Sequence, residues 1–117
     1  MNIESNDLSW WSQCLIHRYP SGNVNVSCIA TSWPVETKFD YQTEFIQTNI
    51  NVWHRVRIEI VPDTFQMKFY IDGQFISSHI PKEAEQLKNS KFTLSVGCWS
   101  SDGSALGQID NVRIAGK

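Results

Sequence analysis

Apolar and polar positions alternate with a period of two along most of the chain, and turn-forming dipeptides interrupt the alternation at close intervals. That pattern predicts short strands assembled as an all-β sandwich or barrel. From Trp53 to Val61 it is regular: Val56, Ile58 and Ile60 share one face, while Arg55, Arg57 and Glu59 share the other. A half-buried strand is expected there. Pro62-Asp63-Thr64 supplies a turn, after which Met67, Phe69 and Ile71 alternate with Lys68 and Tyr70 as far as Asp72-Gly73. Asp-Gly between two apolar runs is the strongest hairpin signal in the chain, because both central residues of a type I′ turn need positive φ.

Phe92, Leu94, Val96 and Cys98 alternate with Thr93, Ser95 and Gly97, which predicts another strand with one buried face. Ser100 to Gly107 has the composition of a loop. Gln108 to Ile114 is expected as the closing strand, but Ile109 falls out of phase with Val112 and Ile114. One extra residue near Asp110-Asn111 would produce that slip. In the first half, Trp10 to Arg18 and Asn23 to Thr31 flank Tyr-Pro-Ser-Gly and read as a hairpin; Lys38 to Thr48 alternates weakly. Trp10 and Trp11 are adjacent, so one should point inward and the other outward. Pro81 to Asn89, with Ala84 and Leu87 three apart, has room for a helical turn and nothing longer.

Composition narrows the functional classes. The chain has 117 residues, 41% hydrophobic and 19% charged, which suits one globular domain. A net charge of −2 argues against nucleic acid as a partner, since phosphate neutralisation needs a basic surface. No apolar run approaches the roughly 18 residues of a membrane span, and the opening Met-Asn-Ile-Glu-Ser-Asn-Asp lacks the basic and apolar regions of a secretory signal. Neither a bilayer nor a cofactor is expected.

Three cysteines, Cys14, Cys28 and Cys98, form no CxxC pair and have no close His, so structural zinc is not expected. Buried in strands, they would serve as small hydrophobes. There is a conditional alternative: a three-residue loop, Pro20 to Gly22, would oppose Tyr19 to Asn23 and therefore Cys14 to Cys28, within disulfide reach. A two-residue loop would shift the register by one and forbid the bond.

The segments Trp53-His54-Arg55-Val56, Pro62-Asp63-Thr64, Phe69-Tyr70-Ile71-Asp72-Gly73, Phe92-Thr93-Leu94-Ser95-Val96-Gly97 and Ile109-Asp110-Asn111-Val112-Arg113-Ile114, in that order, resemble a laminin-G-like domain of the concanavalin A-like lectin/glucanase superfamily. The likeness covers residues 53 to 114, with a looser fit from about residue 10. It implies an antiparallel two-sheet jelly-roll sandwich, an extracellular or cell-surface setting, and a structural Trp53 packed beneath a sheet. Domains of that family are longer and begin with strands beside the closing one, so the resemblance implies that N-terminal strands are lacking here.

Candidate chemistry is sparse. The superfamily's glucanases carry a short acidic motif that is absent, and the nearest set, Glu36, Asp40 and Glu44, is spaced four apart. On one strand face such neighbours lie about 13 Å from each other, beyond the roughly 5 to 9.5 Å of glycosidase carboxyl pairs. His17, His54 and His79 are dispersed and read as surface or strand-flanking residues, and Asp102, Asp110 and Asn111 offer too few oxygens for a calcium site. The five tryptophans are more suggestive, because indole stacks on the apolar faces of sugars. Trp33, Trp99 and Asp102, all in or beside polar loops, are the candidate ligand residues. The expected function is a non-catalytic, lectin-like binding module for carbohydrate or a protein surface. The alternative is an assembly domain without a small ligand. A homodimer is expected, because few and mostly polar residues precede Trp10 and Gln108 to Ile114 would be left as an open edge.

Overall fold

The chain's strands lie in two antiparallel sheets, with a short helical turn on the way back from the second to the first. The computed structural model describes residues 1–6, 9–33, 41–82, 84–87, 90–97 and 108–115. The larger sheet joins residues 41–42, 24–33, 9–18, 2–5 and 92–95 in that order, with 46–48 also paired to 24–33, and the smaller joins 56–61, 66–71 and 74–79. Strands β1 (Asn2–Ser5), β2 (Ser9–Arg18) and β3 (Val24–Trp33) are followed by the short β4 (Tyr41–Gln42) and β5 (Ile46–Thr48). The second sheet holds β6 (Val56–Val61), β7 (Gln66–Ile71) and β8 (Gln74–His79). Helix α1 (Ala84–Leu87) leads to β9 (Phe92–Ser95), which returns to the first sheet. The architecture is all-β and sandwich-like.

Turn chemistry sets the register of both hairpins. Gly22 N donates to Tyr19 O and Tyr19 N to Asn23 O, each at 2.9 Å, closing a three-residue loop with Gly22 at φ 88°. Its positive φ is what glycine accommodates without a Cβ clash. The loop opposes Cys14 to Cys28, and their sulfurs are bonded. Both cysteines are buried, so the pair is at once a covalent staple and part of the core. In the second sheet Asp72 and Gly73 take φ 53° and 84°, the type I′ pattern, and Ile71 pairs with Gln74 across them.

The core lies between the sheets. Met67, Phe69 and Ile71 of β7 are buried, as their alternation predicts, and meet Cys14, Val26, Cys28 and Ala30 of the larger sheet. Trp10 packs edge-on to Phe65 and Phe92, while Trp11 is half-buried on the opposite side of β2. Phe65 ends the turn after β6 at φ 55°, unusual for a bulky residue, and its buried ring offsets that cost. Helix α1 is the anticipated connector; Ala84 and Leu87 close the core beside it.

Three expectations need correction. Gln108 to Ile114 is not a strand: residues 108–115 are exposed and have no strand partner among the described residues, and Asn111 stands at φ 54° with no ladder to interrupt. A strand needs a neighbour, and both sides of β1 are taken, by β2 and by β9. Residues 2–5 form the strand beside β2. Trp53 is not beneath a sheet but 63% exposed, since it precedes β6 rather than entering its ladder. Finally, β9 stops at Ser95 and lies at the sheet edge, which leaves Phe92 and Val96 partly exposed and Leu94 half-buried; Cys98 is outside the described residues.

Candidate binding site

Where β4 and β8 face each other across the two sheets, a hollow of about 290 Å³ is lined by Tyr41, Gln42, Thr43, Glu44, Ile76 and Ser77. Two pieces of local structure build it. On one side, Thr43 locks the end of β4 to β3: its N–H donates to Cys28 O, and its Oγ1 accepts from Cys28 N, both at 2.9 Å. Tyr41 fixes the same segment to the other sheet by stacking on Phe69 at 5.9 Å and on His79 at 4.8 Å.

On the opposite side the wall depends on a β-bulge. Tyr70 pairs with Phe75 but Phe69 pairs with Ser77, so Ile76 is the extra residue of β8. One extra residue reverses the facing of every later side chain in the strand. Phe75 therefore points outward with Tyr70, whereas Ser77 points inward opposite Phe69. Ser77 Oγ is buried there without a hydrogen-bond partner. A buried hydroxyl in that state is a standing cost that a ligand or water can relieve. Gln42 and Glu44 are exposed at the mouth and bring one amide and one carboxylate. The hollow thus combines a few polar groups with the apolar surface of Ile76 and Tyr41.

A second polar constellation joins the sheets elsewhere. Thr48 Oγ1, on β5, lies 2.6 Å from His54 Nε2, and His54 Nδ1 lies 2.8 Å from Asp72 Oδ2 in the β7–β8 turn. Asp72 Oδ1 also accepts from Arg55 N at 2.9 Å. Burial raises the Asp72 pKa, but the Arg55 N–H and the His54 hydrogen bond outweigh it, and the carboxyl is held below its ordinary value. Hydroxyl, imidazole and carboxylate stand in the order of a hydrolytic triad. The exposure is inverted, however: the His54 side chain is 8% exposed and that of Asp72 50%, whereas hydrolytic triads bury the carboxylate. Here the chain ties β5 to the β7–β8 turn.

The sequence-derived candidates fall mostly elsewhere. Trp99 and Asp102 lie outside the described residues, and of Trp33 only the backbone, at the end of β3, is described. Glu36 and Asp40 are likewise outside, so only Glu44 of that acidic set is placed, at the hollow. Asp110 Oδ1 accepts from Asn111 N at 2.7 Å, and among the described residues no group of three metal-ligating side chains forms. His17 stacks on Tyr19 at 4.3 Å. Tyr41 and Ser77 were not singled out by sequence; the usable signal was the adjacent Phe75-Ile76, two large apolar residues that break strict alternation and mark the bulge. No helix among the described residues is long and apolar enough to cross a membrane. Comparison of the chain with protein-family models, with curated proteins and with solved structures returned no match.

Proposed function

We propose that the chain is a non-catalytic, lectin-like binding module of the concanavalin A-like jelly-roll type, and that the hollow between β4 and β8 receives a sugar residue of a glycan. The observation that carries this reading is Ser77 Oγ, buried without a partner in a wall that also presents Gln42 and Glu44. Sugars offer vicinal hydroxyls for an amide, a carboxylate and a hydroxyl, and an apolar C–H face for Ile76 and the edge of Tyr41. Its volume, near the lower end of ligand pockets, suits one ring rather than an extended chain. Trp33, Trp99 and Asp102 remain proposed ligand contacts.

The test is a glycan array followed by calorimetry on whatever binds. Glu44→Ala and Ser77→Val should each weaken binding at least about tenfold. Absence of any retained glycan would overturn the carbohydrate reading.

A protein surface is the second reading, supported by one feature of the outward face of β6-β7-β8. Arg57 lies 3.8 Å over the Tyr70 ring, and Tyr70 meets Phe75 edge-on at 5.6 Å. Exposed Arg, Tyr and neighbouring aromatics are the residue types that anchor protein interfaces. Binding lost on Phe75→Ala but retained in Glu44→Ala would place recognition on that face instead.

A further inference from the structure

We propose that residues 112–115 add as an antiparallel strand to the free edge of β6 in a second copy of this chain. The donor segment is available: residues 108–115 are exposed and have no strand partner among the described residues, with Val112 at 53% and Ile114 at 79% exposure. Asn111 starts it, since its positive φ and the bond from its N–H to Asp110 Oδ1 make a local turn just before Val112.

The acceptor is β6, which pairs with β7 on one side and with no described strand on the other. Its inward side chains Val56, Ile58 and Ile60 pack on the core yet stay only half-buried. Arg55 O accepts from Asp72 N at 2.8 Å and Val61 O from Phe65 N at 2.7 Å, so the odd-numbered positions turn their backbone groups toward β7. By the period of two, Val56, Ile58 and Ile60 direct N–H and C=O groups to the free edge. Such an edge templates another strand.

Side chains select one register. Val112 and Ile114 must cover the face that Ile58 and Ile60 occupy, which fixes parity. Within that parity, one pairing sets Arg113 opposite Arg57, a like-charge contact, and the pairing shifted the other way runs Val112 onto Pro62, which has no N–H to give. The remaining register pairs Val112 with Ile60, Arg113 with Glu59 and Ile114 with Ile58. Arg57 and Lys68 approach Glu59 only to 3.6 and 3.7 Å, so its carboxylate retains acceptor capacity. Arg113 and Glu59 would form a non-hydrogen-bonded pair, the kind whose Cα atoms come within about 4.5 Å. The segment does not lie on its own β6 here, and reciprocal exchange between two copies closes a two-fold dimer.

Sedimentation of the chain should give twice the monomer mass of 13.4 kDa at micromolar concentration. Val112→Pro, Arg113→Glu and Glu59→Arg should each weaken association at least about tenfold. None removes a buried side chain, and an unchanged circular dichroism spectrum will verify that each variant folds. Combining Glu59→Arg with Arg113→Glu should restore the dimer. A monomer at every concentration up to millimolar, a dimer indifferent to Val112→Pro, or a charge swap that fails to restore association would each overturn the proposal.

Discussion

Cys14 and Cys28 sit directly opposite each other on β2 and β3, joined through their sulfurs six residues from either end of a three-residue loop that ends in Gly22. The glycine and the bond support each other: the loop sets the register that opposes the cysteines, and the bond holds the register against slippage. Closing a loop of this length restricts the unfolded chain by about 2 to 3 kcal/mol. Cys14→Ser with Cys28→Ser should therefore lower the melting temperature by about 10 °C. Alkylation of the unreduced, unfolded protein should label one of the three cysteines; labelling of all three would show that the bond is absent.

Gly73 has open space where a Cβ would stand and a φ of 84°. Substitution there costs conformation alone, with no clash. Gly73→Val should destabilise by about 1 kcal/mol or more, and Gly73→Ala somewhat less, as read from denaturant midpoints at constant m-value. Equal midpoints for wild type and Gly73→Val would mean that the turn is not type I′.

Asp72 makes stability fall on the acid side. Its folded pKa is depressed, so its contribution is complete above the unfolded value of 3.8 and is lost as pH falls through that value and then through the folded one. Melting temperatures should drop between neutral pH and pH about 2, and Asp72→Asn should flatten the lowest part of that profile. Identical acid profiles for the two proteins would contradict the assignment.

Thr48, His54 and Asp72 are expected to act as a clasp without turning over substrate. His54→Ala removes a nearly enclosed ring bonded at both nitrogens, and should lower stability by about 1 to 3 kcal/mol. Activated esters and β-glucans should not be hydrolysed. Ester turnover lost in Thr48→Val would make the arrangement catalytic and displace the non-catalytic reading.

Leu87 tests whether the short helix matters. It is fully buried although its element spans only four residues. Leu87→Ala should cost about 2 to 5 kcal/mol in urea unfolding, whereas exposed Gln86→Ala should be nearly neutral. A small Leu87→Ala effect would show that the turn only caps the sandwich.

What the sequence determined by itself is what short-range chemistry controls. Val56-Ile58-Ile60 and Met67-Phe69-Ile71 announced strands and their buried faces, because a strand's side chains alternate whatever lies beside it. Asp72-Gly73 announced its turn because positive φ is cheap for few residues, whereas Tyr19 to Gly22 announced a hairpin whose loop length, and with it the cysteine register, only the structure decided. Tertiary structure decided which edges meet, since that is a competition between distant segments and no local signal ranks the competitors. Residues 2–5 took the place beside β2, and β9 took β1's other side; Gln108 to Ile114, with a comparable apolar pattern, has no strand partner among the described residues. The hollow arose the same way, from Tyr41 stacked across the gap and a bulge that turned Ser77 inward. The clasp joins residues 48, 54 and 72, whose meeting depends on how the two sheets pack rather than on any spacing along the chain.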